Sequence, residues 1–435
     1  MSDIILNEGQ QEAVKQIQHF IENDSNKPFF TLSGAGGSGK TETIKHALKK
    51  YKDKRIIGGA ISNSASSILS KSLNFGEIMT TTKLLNKKRK VNSKTGEISF
   101  ETTESDDMAI NKAKIIPIDE CSMIDNKDLD DMLYYKKKDA KLIFLGDIAQ
   151  ICPINSDIET SKTFIDGGYY ELTQIMRSVE PLTEFTTYIR NQILDYYKTG
   201  VFSDAGVISK KMIFPDTKIG DNGYFMLNYE EDLIDKFIDL YKQDISNPMN
   251  VKITAYKNKT VDSLNKKIRE KLFPYSDYLY SIGDNLITNS YYNKDNNVFK
   301  SNEYIVVTKV RKEIDENNMS IYKLDFKNQK QEQFYNISVI DTEKGYQPYI
   351  IKKNTLLRQA QQRKISWTKY FNFIEGYLNV SYSFCSTAHR IQGQTINNIF
   401  VMEQEIKSVA PISMVEKMQS IYVGQSRAKH KIYML

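Results

Sequence analysis

The sequence predicts an α/β protein of more than one domain, and three observations lead there. Its 435 residues exceed what a single domain of roughly 150 residues holds. The first 180 residues alternate short apolar runs with helix-patterned stretches, the rhythm of parallel βαβ units. Those runs end in glycines or carboxylates, at the strand ends where open parallel sheets bind ligands.

In chain order, residues 29–32 (Phe-Phe-Thr-Leu) form a buried strand that runs into a Gly-rich loop. Residues 41–51 follow as a helix and 55–60 as the next strand, while 115–118 and 142–145 are two more apolar strands leading to carboxylates. The rhythm breaks at Lys87-Lys88-Arg89-Lys90, where polar turn residues flanked by β-prone pieces up to Phe100 predict an inserted hairpin, followed by acidic residues 101–107. From about 181 the pattern resets. Residues 227–242 are an amphipathic helix with Leu233, Phe237, Leu240 and Tyr241 on one face; 251–256 are a strand and 260–272 a helix. Residues 283–379, with short β-like pieces and Asn-rich turns, read as an inserted β-rich subdomain, and 380–435 return to short strands and a helix. The expected division is 1–85 with 111–180, an insertion at 86–110, 181–282 with 380–435, and an insertion at 283–379.

Composition narrows the class. Sixty basic against 54 acidic residues give a net charge of +6, too mild for a polycationic tail binder. Hydrophobic residues at 40% and charged residues at 26% disfavour disorder, collagen and coiled coil, and no repeat points to a solenoid. No apolar run approaches the roughly 18 residues of a membrane helix, and Met1 to Gln10 show no signal-peptide pattern. Three widely spaced cysteines and four histidines argue against disulfides and structural zinc. The expectation is a soluble protein of the cytoplasm, with no membrane partner.

The chemistry begins at Gly34-Ala35-Gly36-Gly37-Ser38-Gly39-Lys40-Thr41, which fits the phosphate-binding pattern G-x-x-x-x-G-K-[ST]. Backbone N–H groups of such a loop turn inward around phosphate oxygens at a helix N-terminus. Lys40 then neutralises the β- and γ-phosphates of ATP, and the Thr41 hydroxyl ligates Mg²⁺. Asp119, ending the strand at 115–118, holds the Mg²⁺ shell, and Glu120 orients and deprotonates the attacking water. Gln150, after Leu145-Gly146-Asp147, is placed to bond the γ-phosphate or that water.

Four further stretches complete a series: Asn7-Glu8-Gly9-Gln10, Leu172-Thr173-Gln174-Ile175-Met176-Arg177-Ser178, Thr387-Ala388-His389-Arg390-Ile391-Gln392-Gly393-Gln394-Thr395, and Tyr422-Val423-Gly424-Gln425-Ser426-Arg427-Ala428. In motif order the chain resembles the superfamily 1 helicases of the RecD-like, 5′→3′ branch (superfamily 1B) over essentially its whole length, loosely across 283–379. The resemblance implies two tandem RecA-like P-loop NTPase lobes, a small β-hairpin insertion in the first and a β-rich, SH3-like insertion in the second. It implies that Gln10 reads the adenine edge and that Arg177 and Arg427 reach the γ-phosphate from opposite lobes. It also implies that the Gln392-Gly393 element joins DNA contacts to the nucleotide cleft. Departures are Cys121 where the family often has Val or Ala, Ile61-Ser62 without the usual Pro, and Thr80-Thr81-Thr82 without a His.

Backbone phosphates need hydroxyl, amide and lysine donors, and unstacked bases need aromatic faces. Ser62, Asn63, Thr80 and Thr81 supply donors in the first lobe; Lys257, Asn258, Thr387 and His389 supply them in the second. Phe100 aligns with an aromatic on the family's duplex-splitting pin; packing onto a neighbouring lobe is the other reading. The basic, aromatic stretch 352–373 touches single strand, braces the pin, or is an ordinary amphipathic helix. The expected function is an ATP-dependent helicase acting as a monomer on single-stranded and fork DNA in phage-type replication or recombination, with single-strand-binding or replication proteins as partners. The rivals are a nucleotide-switched clamp that does not unwind and an RNA-directed helicase; Glu120 and the paired arginines favour turnover.

Overall fold

The computed structural model describes residues 5–435 apart from 24–25, 93, 96, 154–158, 177–179, 205, 210–211, 213–214, 277 and 295–296. The first half contains α1 (Glu8–Glu22), β1 (Phe30–Gly34), α2 (Lys40–Leu48), β2 (Ile57–Ala60), α3 (Asn63–Leu73), β3 (Glu77–Thr80) and α4 (Thr81–Leu84). It continues with β4 (Lys87–Val91), β5 (Ile98–Thr102), α5 (Ala109–Lys112), β6 (Ile115–Asp119), α6 (Asn126–Tyr135), β7 (Lys141–Gly146) and β8 (Gly168–Leu172). Strands β3-β2-β6-β7-β1-β8 form one parallel sheet in that order. Its strands are apolar throughout because both faces are covered: Phe29, Ile116 and Phe144 enter one core, and Phe30, Leu32, Ile143 and Leu145 enter the other. Strands β4 and β5 stand apart as an antiparallel hairpin.

The second half runs through α7 (Leu182–Thr199), α8 (Gly206–Ser209), β9 (Thr217–Ile219), β10 (Asn222–Met226), α9 (Glu230–Gln243), β11 (Val251–Ala255) and α10 (Asn258–Leu272). Next come β12 (Asn285–Thr288), β13 (Tyr292–Lys294), β14 (Asn297–Phe299), β15 (Tyr304–Ile314), β16 (Ser320–Asn328), β17 (Gln333–Ile340), α11 (Tyr346–Gln361) and α12 (Trp367–Ile374). The chain ends with β18 (Val380–Tyr382), β19 (Cys385–Thr387), α13 (Ala388–Ile391), β20 (Ile396–Val401), α14 (Glu403–Ser408), α15 (Met414–Ser426) and β21 (Ala428–Met434). The second sheet is β19-β11-β20-β21-β10-β9, parallel except at its β9 edge. It too is covered on both faces, by clusters around Ile253, Phe400 and Tyr433 and around Ile399, Val401 and Ile432. Ala149 and Ile151, just past β7, pack into the second of these, well before the division expected at 180.

Residues 283–379 differ from a wholly β-rich insertion. A five-stranded antiparallel sheet, β17-β16-β15-β12-β18, is joined by the helix pair α11 and α12. Residues 380–382, read from sequence as a return to the second lobe, pair with β12 instead. A helix was one reading of 352–373 but was not singled out, because α11 buries only Leu356 and Ala360, too few positions to set a periodicity. Val91 of the hairpin packs against the helix pair's small core of Leu356, Ala360, Tyr370 and Phe371. Among the described residues, no helix is long and apolar enough to cross a membrane.

Candidate nucleotide and nucleic-acid site

Parallel strands deliver their chemistry at one edge, and in the first sheet that edge carries the Gly-rich loop after β1, Asp119 and Glu120 after β6, and Asp147 after β7. Gly34 ends β1, and Gly36, Gly37 and Ser38 form the turn into α2. Gly39 sits at φ +84°, and a Cβ there would lie 2.2 Å from Gln10 Nε2, so only glycine fits. Gln10 is buried. Its Oε1 accepts from the Asn7 N–H (3.0 Å) in a capping box, and its Nε2 donates to the Ser38 carbonyl (3.1 Å). The residue expected to read a base thus also holds the phosphate loop.

Lys40 Nζ donates to the Gly34 and Ala35 carbonyls (2.7 and 3.1 Å), and Thr41 lies in the first turn of α2. Burial, and secondly the charge of Glu120, push the Asp119 carboxyl up to about 7 against the pull of Lys40. Glu120 adopts a left-handed φ of +57°, a conformation that costs a non-glycine residue about 1–3 kcal/mol and recurs at functional sites. From the second half, Gly393 approaches so closely that a Cβ on it would lie 3.5 Å from Glu120 Oε1. Its neighbour Gln392 donates from Nε2 to Gln150 Oε1 (2.9 Å) and Ser122 Oγ (3.1 Å). The phosphate loop, the two carboxylates and the Gln150–Gln392 pair therefore share one cleft between the sheets.

Arg427 caps α15 and is 8% exposed, yet its guanidinium bonds only Ser426 Oγ (3.1 and 3.3 Å) and has no carboxylate partner among the described residues. A buried cation held this way is complete only with an anion. Arg177 lies outside the described residues; the preceding Met176 N–H donates to the Gly37 carbonyl (3.0 Å). Sequence reasoning missed a network around Asp147. Fully buried Asp147 accepts from Arg190 Nε (3.2 Å) and the Tyr422 hydroxyl (2.6 Å), and Arg190 also bonds Glu171 (2.6 Å). Tyr422 on α15 lies in the second core and Arg190 sits on α7 beside its members Ile189 and Ile193, so Asp147 ties the sheets together.

The expected strand contacts fall in two rows. After β2 and β3, Ser62 and Thr80 are N-caps accepting from the Ala65 and Lys83 N–H groups, and Asn63 Oδ1 accepts from Lys300 Nζ (3.1 Å) of the insertion. Thr81 differs: its side chain is buried at the start of α4, which leaves only its backbone N–H for a phosphate. After β11 and β19 lie exposed Lys257 and Asn258 and half-buried Thr387 and His389. Glu405 fixes this second row, accepting from the Tyr256 and Lys257 N–H groups (2.9 and 3.0 Å) and the Thr260 hydroxyl (3.0 Å). Burial lowers the His389 pKa, opposed by Glu416, and its ring meets Tyr256 edge-on at 6.0 Å. Arg390 ties the row to the insertion through Asn302, Thr288 and Asn289.

On the hairpin, Phe100 is 57% exposed and unpacked, while its cross-strand partner Arg89 bonds Glu375 and lies 4.2 Å from the Phe371 ring centroid. Gln361 also donates to the Lys94 carbonyl (2.8 Å). Of the three readings of 352–373, these contacts match the brace.

Comparison with known proteins finds relatives over most of the chain. Residues 5–194 match the model of an AAA domain family. The chain is 26% identical to the ATP-dependent DNA helicase Dda of Enterobacteria phage T4, across 98% of both chains. It is 25% identical to the RecBCD enzyme subunit RecD of Buchnera aphidicola, over 92% of this chain and 69% of that one. In fold it is similar to Pif1 helicase in a structure of forked-DNA unwinding (16% identity, TM-score 0.51, 99% and 92% covered) and to Candida albicans Pif1 (13%, 0.50, 99% and 94%). The parallel-sheet, RecA-like core of the Pif1 structures is thus the core of this chain, which is similar over nearly its whole length to the Dda helicase.

Proposed function

We propose that the chain is an ATP-dependent DNA helicase that moves 5′→3′ on single-stranded DNA as a monomer and parts duplex at its hairpin. The observation that carries the reading is the shared cleft, with the phosphate loop and Glu120 on one wall and Gln392 on the other; Arg427, buried and without a carboxylate partner among the described residues, comes from the same half as Gln392. Each wall continues into a row of strand-contacting donors. The helicase activity named for Dda and Pif1 supports it.

Thr41 and Asp119 offer hard oxygen ligands of the kind Mg²⁺ takes beside nucleotide phosphates, and the ion would supply charge neutralisation there. Lys40 and the loop N–H groups hold the phosphates, Glu120 orients water, and Arg427 and Arg177 meet charge spreading over the γ-phosphoryl oxygens. Loss of that group frees Arg427 and lets the rows grip DNA differently, the differential affinity that stepping requires. Its place of work is the cytoplasm, in phage-type replication or recombination, alongside single-strand-binding or replication proteins.

The test measures ATPase with single-stranded DNA or RNA, then unwinding of duplexes with a 5′ or a 3′ tail. Strand-stimulated turnover and opening from the 5′ tail are expected, with Lys40→Ala folded and inactive. Opening only from a 3′ tail refutes the polarity, preference for RNA refutes the substrate, and turnover indifferent to strands refutes the motor.

A further inference from the structure

The hairpin is held at a second place, its root, and by a different part of the molecule. Lys87 on β4 and Thr102 on β5 are cross-strand partners at the base of the hairpin. Lys87 Nζ pairs with Asp128, and the Thr102 hydroxyl donates to Asp131 Oδ2 (2.5 Å). Asp128 and Asp131 are one turn apart on α6 and so face the same way. The Lys87 and Asp128 side chains are 14% and 12% exposed, which separates this pair from the solvent-screened surface pairs at Lys90 or Lys114. Asp128 is further set by its N–H, which donates to the cap residue Asp125 (2.7 Å).

Helix α6 begins six residues beyond Glu120, after a tight turn over Cys121–Met123. Ser122 in that turn is the group that Gln392 reaches from the other wall of the cleft. Cys121 and Ser122 are buried in the turn, and Ile124, Leu129 and Met132 bury the start of α6 in the first core, so the turn and the helix cannot shift independently. A rigid path thus runs from the cleft wall through Ser122 and α6 to both strands of the hairpin root.

We infer that Asp128 and Asp131 are positioning residues that transmit closure of the nucleotide cleft to the hairpin, so that each turnover moves the splitting element as well as the strand. The inference rests on the hairpin being the site of strand separation. The experiment compares Asp128→Asn, Asp131→Asn and Phe100→Ala in the full chain, reading single-strand-stimulated ATPase, unwinding of a 5′-tailed fork, and base pairs opened per ATP.

Both Asp variants should keep ATPase within about twofold while unwinding and base pairs per ATP fall about tenfold, the loss expected from one charge-assisted bond. The swap Lys87→Asp with Asp128→Lys should recover part of the coupling, which mere instability would not predict. Asp131→Asn perturbs a more exposed pair and keeps the test open if Asp128→Asn folds poorly. ATPase and unwinding falling in equal proportion overturn the inference. Unwinding slowed by Phe100→Ala but untouched by both Asp variants overturns it alone; unwinding untouched by all three overturns the wedge reading with it.

Discussion

Tyr422→Phe removes a single hydroxyl from a buried site, and its effect can be worked from the geometry. The lost bond is 2.6 Å long and runs to a fully buried carboxylate. Phenylalanine fills the same volume, so no cavity term arises, and Asp147 keeps Arg190 Nε and the Ala149 N–H, each at 3.2 Å. A bond to a charged group contributes about 1.5–3 kcal/mol, and retention of two partners puts the expected loss near 2 kcal/mol. Asp147→Asn should cost more, about 3–5 kcal/mol, because Arg190 is left buried with Glu171 as its one remaining carboxylate in this network. Urea unfolding followed by circular dichroism gives both values from midpoints at constant slope. The double variant decides the matter. If the three groups act as a unit, its loss falls short of the sum by about 1 kcal/mol or more; losses that add to within about 0.5 kcal/mol refute the network.

Arg427→Ala should cut ATP turnover by about 10³-fold or more while ADP binding, which lacks the γ-phosphate, holds by titration calorimetry; a loss under tenfold refutes its role. Gly39→Ala, with a Cβ 2.2 Å from Gln10 Nε2 and a left-handed φ, should abolish ATP binding by the same titration, and an unchanged affinity would contradict the strained loop. Lys252 is fully buried on β11 under the Tyr304 ring, and burial, then Arg390, lowers its pKa to about 7. Between that value and its unfolded value near 10.4 the unfolded chain binds more protons, so this lysine makes stability rise as pH increases through the window and fall as it drops toward 7. Lys252→Met should flatten that rise in melting curves taken from pH 7 to 10; an unchanged slope refutes it.

The α/β class was legible because both faces of each sheet are covered, which makes strands such as 115–118 and 142–145 continuous apolar runs bracketed by turn residues. The phosphate loop was legible because its backbone geometry demands glycine at fixed spacing. The Asp147 knot was not: its partners lie 43 and 275 residues away, and Gly146-Asp147 read alone is an ordinary turn. Nor was the placement of Thr81, since a hydroxyl in an exposed-looking Thr run gives no sign of which member turns inward. The hairpin brace was one of three readings of 352–373, but the residues that make it were not legible: Arg89 meets Glu375 and Phe371 only because two insertions fold against each other.

Two kinds of bond cross from one sheet to the other, and they are unequal. Gln392 grips Gln150 and Ser122 with neutral bonds of about 0.5–1.5 kcal/mol each, so parting both shifts the open-to-closed ratio by only about 5- to 150-fold. Pulling Asp147 away from Arg190 and Tyr422 costs about 3–5 kcal/mol, a ratio in the hundreds to thousands. The two fastenings therefore give way in a fixed order: the clasp that Gln392 makes with Gln150 and Ser122 parts under a load that leaves the Asp147 knot made, so the sheets can loosen at the clasp without coming apart.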